Sequence, residues 1–150
     1  MAEEKIKIED IMRDFVKTIG KRDVEKALSY LTEDVDWVTP SGTLKGKDEL
    51  RCYLSSEPMQ DLTITETGNG IITQGNKAFF EHVITATFRG RRTEGLAICA
   101  YEFKGDKIEH MRTTLDRLLL AQQATGGLAK IMVNQIVKQS EELLIGGKKS

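Results

Sequence analysis

Several residue types are scarce in this chain of 150 residues: two prolines, two histidines, two cysteines and one tryptophan. Cys52 and Cys99 lie far apart, and neither has a Cys or His neighbour at metal-ligand spacing. That argues against a zinc site, so no metal is expected, and reduced thiols in a cytoplasmic protein are the expected state. The start, Met-Ala-Glu-Glu-Lys, is charged and lacks the apolar core of a secretory leader. No stretch reaches the roughly 18 consecutive apolar residues that a membrane helix needs. An excess of one charge is missing too, since 22 Lys and Arg stand against 23 Asp and Glu. A net charge of −1 gives no electrostatic reason to expect nucleic acid or an anionic membrane as a partner. The one basic cluster, Arg89-Gly-Arg91-Arg92, falls at an expected hairpin turn and reads as solvated turn charge.

What remains is the composition of an ordinary soluble domain, 39% apolar and 30% charged, long enough to bury one core. The first third is helical in period. Ile8, Ile11, Met12, Phe15, Val16 and Ile19 recur at helix spacing, with Gly20 expected as the C-cap. Asp23 is placed to cap a shorter helix carrying Val24, Ala27, Leu28 and Leu31. Val35 to Val38 reads as a brief strand halted by Pro40-Ser-Gly42, and Lys47 to Ser55 as a further helix.

From Asp61 the apolar period changes from 3.6 to 2. Threonine-rich alternation to Thr67 is interrupted by Gly68-Asn-Gly70, a turn or bulge signal. Gly75-Asn76, Arg89 to Arg92 and Gly105-Asp106 then separate strands over 78–88, 94–103 and 107–115. Helices followed by hairpin-linked strands predict an α+β domain with helices covering one face of an antiparallel sheet. Beyond Asp116 a helix begins at Leu118, Gly126-Gly127 breaks it, and a second runs from Leu128 to Leu144 with a narrow apolar stripe. That last helix could pack on its own domain, reach across a dimer or act as a lid. Residues 146–150 read as a frayed end. The division is therefore a domain over 1–125 and a helical extension with a frayed tail over 126–150.

Candidate site residues come from the strands. Simple alternation puts Ile108, His110, Arg112, Thr114 and Asp116 on one face of the last strand, with Met111, Thr113 and Leu115 on the other. Solvent and a binding cleft would explain the polar set equally well. His82 interrupts the apolar series Ala78, Phe80, Ile84, Ala86 and Phe88, as a satisfied core histidine or a catalytic one. Glu81, on the opposite parity, reads as solvated. Trp37, Tyr53 and Tyr101 each supply a polar tip on an aromatic body.

Three segments resemble the SnoaL-like domain of the nuclear-transport-factor-two-like superfamily, whose relatives include ketosteroid isomerase, polyketide cyclases and limonene-epoxide hydrolase. They are Leu31-Thr-Glu-Asp-Val-Asp-Trp37 with Pro40, Gly42 and Gly46 to Leu50; the hairpin from Gly90 to Phe103 with Lys107-Ile108; and Arg112 with Asp116 and Gln123. The resemblance covers about residues 8 to 125. It implies a cone-shaped α+β barrel in which N-terminal helices pack on a strongly curved antiparallel sheet around a deep apolar pocket. It also implies that Asp116 and Arg112 belong to that pocket, that Trp37 lies near it, and that no organic cofactor is needed. Thr114, the place of Gly105 and the added C-terminal helix depart from the family's pattern.

A carboxylate held in an apolar pocket gains proton affinity, and a neutral His or Tyr can stabilise an enolate formed beside a carbonyl. The expected chemistry is that of an isomerase or cyclase, or of a hydrolase acting on an epoxide. Asp116, Arg112 and His82 are the expected catalytic groups. Trp37, Tyr53, Tyr101 and His110 are expected to hold a small apolar ligand. The competing class is a ligand-binding or dimerisation module without catalysis, in which Asp116 caps the following helix. Strands apolar on both parities, such as 95–103, further predict a homodimer joined through the outer face of the sheet.

Overall fold

A computed structural model describes the backbone of residues 2–149 and the side chains of residues 7–56 and 59–143. Helix α1 (Ala2–Gly20) turns Ile8, Met12 and Phe15 into the core, as its period predicts. The helix runs through Gly20, and it is Arg22 that adopts the left-handed conformation in the turn that follows (φ 61°). Gly20 is therefore not the cap. The Lys21 and Arg22 amides close on the carbonyls of Lys17 and Ile19, which satisfies that end from the backbone alone. Helix α2 (Val24–Ser29) starts at Asp23, whose carboxylate accepts from the Lys26 amide at 3.2 Å.

Strand β1 (Leu31–Thr39) extends the expected short strand in both directions. Two small elements escaped the sequence reading: β2 (Gly42–Lys45), which folds back on β1, and the four-residue helix α4 (Glu57–Gln60) after α3 (Gly46–Leu54). Four residues are too few to display a period. Strands β3 (Thr63–Gln74), β4 (Lys77–Phe88), β5 (Arg91–Lys104) and β6 (Lys107–Leu115) follow, then α5 (Arg117–Ala124) and α6 (Gly127–Lys149). Ser150, the end of the expected frayed tail, lies outside the described residues, and α6 continues as helix to Lys149.

The six strands form one curved, unclosed sheet in the order β2-β1-β6-β5-β4-β3. Every ladder is antiparallel except β1 with β6, which is parallel. Extra residues bend the strands where the cone requires it. In β3 the register slips between Glu66 and Ile71, and Gly68 and Gly70 both take positive φ (57° and 59°). A Cβ at Gly68 would sit 2.3 Å from the carboxyl carbon of Glu81. Glu81, expected in solvent alone, holds this bulge by accepting from the Asn69 amide at 2.9 Å.

The second irregularity decides where the last strand points. Phe103 pairs with Ile108, but the next β5 residue, Glu102, pairs with His110, so Glu109 is an extra residue in β6. Parity reverses there. Ile108 and Met111 are both buried, and beyond the bulge Met111, Thr113 and Leu115 face inward. Helices α1 and α3 lie across the inner face, and their buried residues join Leu28, Leu31, Val35, Phe80, Tyr101 and Phe103 in one core. The fold is thus the α+β cone, with the parallel β1–β6 ladder as its one mixed feature. Among the described residues, no helix is long and apolar enough to cross a membrane.

Candidate functional site

Between the helices and the inner face of the sheet lies a cavity of about 120 Å³. Its walls come from α1, β1, α3, α4 and every strand from β3 to β6. Phe15, Leu50, Leu54, Phe80 and Met111 make it mostly apolar, and among the described residues no Asp, Glu, Lys or Arg lines it. Four of the seven expected site residues line it: His82, Trp37, Tyr53 and Tyr101.

His82 projects from the middle of β4, where period-2 alternation aims it inward beside Phe80. Its ring stacks on that of Phe80 with centroids 4.2 Å apart. Nδ1 lies 3.3 Å from the Phe80 carbonyl oxygen, which can only accept, so Nδ1 carries the proton and Nε2 is left as the acceptor. Burial lowers the pKa of His82, opposed by the Phe80 carbonyl, and the imidazole is neutral at pH 7.

The cavity wall also holds a short polar chain. Trp37 Nε1 donates to Thr113 Oγ1 at 2.8 Å, and Thr113 Oγ1 lies 3.1 Å from Cys99 Sγ. Burial pushes the Cys99 thiol up, against the hydrogen bond from Thr113, so the sulfur is a thiol at neutral pH and not a nucleophile. Tyr101, beside it, is raised well above the ordinary phenol range by complete burial. Tyr53 packs edge-on against Trp37 with centroids 5.2 Å apart, and burial raises its hydroxyl as well. Cys99 and Thr113 were not singled out from sequence. Cys99 shares parity with Tyr101, a signal that was legible, whereas Thr113 was hidden by the bulge.

The remaining three candidates lie outside the cavity. The expected common face of His110, Arg112 and Asp116 exists, but it is the outer face of the sheet, because the extra residue at Glu109 reverses the alternation. Asp116 is exposed and accepts from the Leu119 amide at 2.9 Å, the geometry of an N-cap for α5. Arg112 is exposed and pairs with Glu102 at 3.2 Å, not with Asp116. His110 Nδ1 meets Asp36 at 2.9 Å across the parallel ladder. Gln123 docks α5 onto the end of β5: its Oε1 accepts from the Glu94 amide at 2.6 Å and its Nε2 donates to the Glu94 carbonyl at 2.9 Å.

The apolar outer face is open. Val38, Ile72, Phe79, Leu96 and Ile98 are all 42–49% exposed on it. Helix α6 packs mainly on α5, through contacts such as Gln122 Nε2 to Asn134 Oδ1 at 2.8 Å, and leaves Leu128, Ile131, Met132 and Ile136 exposed.

Comparison with known proteins agrees with this geometry. The model of the SnoaL-like domain family matches residues 12–111. No curated protein matches the chain by sequence. Among solved structures, an NTF2-like protein from Burkholderia xenovorans LB400 is 23% identical, covering 81% of this chain and 98% of that one at a TM-score of 0.68. A hypothetical protein with a ketosteroid isomerase-like fold from Catenulispora acidiphila DSM 44928, in complex with trimethylamine, is 12% identical, covering 76% and 91% at 0.68. TerC co-crystallised with polyporic acid is 18% identical, covering 79% and 98% at 0.67. At these identities the likeness is one of fold.

Proposed function

The chain belongs to the SnoaL-like domain family, and from that premise we propose that its cone holds one small, mostly apolar molecule against the neutral imidazole of His82. The observation that carries this reading is a single basic nitrogen, His82 Nε2, in a cavity that is lined, among the described residues, by no charged side chain. Two of the similar structures hold small organic molecules, trimethylamine in one and polyporic acid in the other, which supports a binding role for the fold.

As an enzyme the site performs proton transfer in the manner of an isomerase or cyclase, or activates water against an epoxide. His82 Nε2 takes the proton, either from a carbon beside a carbonyl or from water. Tyr53, whose hydroxyl keeps its proton because burial raises it, donates to the oxygen on which charge develops. The proposed base is an imidazole in place of the expected carboxylate, a choice supported by the lack of a lining carboxylate among the described residues. One observation favours a second reading, a binding module without turnover: the carboxylate of Asp116 is spent on its helix cap.

A panel of small carbonyl and epoxide substrates separates these readings. His82→Gln is expected to lower kcat about a hundredfold or more, the usual scale of general-base catalysis, while Asp116→Asn leaves it unchanged. A loss confined to Asp116→Asn would return the base to the carboxylate. Absence of turnover by the unaltered protein across the panel would favour the binding module.

The outer sheet face completes the proposal. A second copy of the chain covers Phe79, Leu96 and Ile98, with the stripe of α6 adding to the cover, and residues 126–150 form an extension the pocket does not need. Light scattering at micromolar concentration is expected to give a homodimer, and a monomer would refute it.

A further inference from the structure

Resting on the reading of the cone as a ligand pocket, we infer that its ligand is a neutral single-ring molecule of roughly six to ten heavy atoms bearing one hydroxyl, a phenol or a cyclic alcohol in size and polarity, with that hydroxyl donating to His82 Nε2. Size is the first constraint. The cavity measures about 120 Å³, and a dry apolar protein cavity of about 150 Å³ takes benzene. One ring is the best match to that volume.

Charge is the second constraint. Among the described residues, no cationic side chain lines the cavity to neutralise an anion, and no carboxylate to receive a cation. An ion placed there would be desolvated without compensation, so the neutral form is the one bound.

The third constraint is the inventory of polar atoms. Trp37 Nε1 is used by Thr113, and Thr113 and Cys99 face each other. Thr39 Oγ1 donates to the Gly42 carbonyl at 2.8 Å and accepts from the Ser41 amide. His82 Nδ1 is held by the Phe80 carbonyl. The Tyr101 hydroxyl is engaged by Cys99, so among the described residues His82 Nε2 and the Tyr53 hydroxyl are the lining side-chain groups left without a protein partner. Nε2 can only accept, and the Tyr53 hydroxyl can donate. A ligand hydroxyl, which both donates and accepts, matches that remainder. A hydrocarbon ring of equal size would displace water from Nε2 and leave it unpaired, which costs affinity.

Trp37 lines the cavity and is the chain's only tryptophan, so its fluorescence reports occupancy directly. Titration of the whole protein with phenol, toluene, p-cresol, anisole and 1-naphthol provides the test. Phenol is expected to bind about tenfold more tightly than toluene, and p-cresol about tenfold more tightly than its donor-free isomer anisole. 1-Naphthol is expected to bind more weakly than phenol. In His82→Phe the phenol advantage should fall below about threefold while toluene still binds. The p-cresol and anisole pair keeps the test valid if that variant fails to fold. Equal affinities for donor and donor-free rings would overturn the hydroxyl assignment, and tighter binding of 1-naphthol would overturn the size limit. Both outcomes leave the pocket reading standing. No quenching by any of the five at millimolar concentration would overturn the pocket reading itself.

Discussion

The two faces of strands β4 and β5 both carry large apolar residues, and these meet different fates. Inward, Ala78, Phe80, His82, Ala97, Cys99, Tyr101 and Phe103 are buried beneath α1 and α3. Outward, Phe79, Leu96 and Ile98 alternate with them along the same backbone and remain 43–48% exposed. The backbone is shared, so for these apolar residues the difference lies in what covers each face. An antiparallel sheet with helices on one side is expected to alternate apolar with polar. Here Phe79, Leu96 and Ile98 depart from that alternation.

Substituting neighbours on opposite faces should break this comparison if it is wrong. Phe80→Ala empties a fully buried position stacked on His82, and is expected to cost about 3–5 kcal/mol in urea unfolding. Its outward neighbour Phe79→Ala should cost under about 1 kcal/mol at a dilution where only monomer is present. Comparable losses for the two would mean the outer face is covered within one chain.

Association gives the next largest effect. Ile98→Lys places a charge at the centre of the outer face, and is expected to weaken self-association at least about tenfold in sedimentation while leaving phenol binding by Trp37 fluorescence unaltered. A dimer of undiminished strength would move the interface elsewhere.

Acid sensitivity sharpens the inner side. His82 has its pKa lowered by burial, so the folded chain holds that proton more weakly than the unfolded one. Above the ordinary histidine value of about 6.5 both states are neutral and the contribution to stability is at its full level. As pH falls below that value the unfolded chain gains a proton that the folded chain lacks. Stability then declines by up to about 1.4 kcal/mol per pH unit until the lowered value is passed. Its neighbours Cys99, Tyr101 and Tyr53 are all raised and stay protonated throughout. Urea titrations between pH 7 and 5 should show this slope reduced in His82→Gln, and an unchanged slope would assign it to another group.

The smallest effect belongs to Asp116. Asp116→Ala removes the α5 cap and should cost about 1 kcal/mol, whereas Asp116→Asn, which still caps, should cost a few tenths. Ligand affinity should be unmoved in both. A change in affinity at constant stability would put this residue back into the site.

Helices with a long apolar period and a polar cap were readable in advance, α1 and the Asp23 start of α2 among them, because both signals are local in sequence. So were the hairpins at Gly75-Asn76 and Gly105-Asp106. His82 was legible as an inward residue because it interrupts an otherwise apolar series, whereas Trp37 was placed near a pocket only by the family resemblance. The face of β6 was not. One extra residue at Glu109 reverses every inward and outward assignment after it, and nothing in Lys107-Ile-Glu-His-Met-Arg marks the bulge by composition. The parallel pairing of β1 with β6 was equally invisible, since it depends on contacts between residues far apart in the chain.

That pairing also governs when the cone can exist. β1 leaves the ribosome with only the four-residue β2 as a partner, while its long neighbour β6 is made after β3, β4 and β5. At roughly 5–20 residues per second, β1 waits on the order of several seconds with Leu31, Val35 and Trp37 lacking the strand they lie beside. Contacts so distant in sequence also slow refolding, because the loop between them must close before they contribute. The molecule is committed to finishing its sheet late, with β1 the strand left waiting longest for its long neighbour.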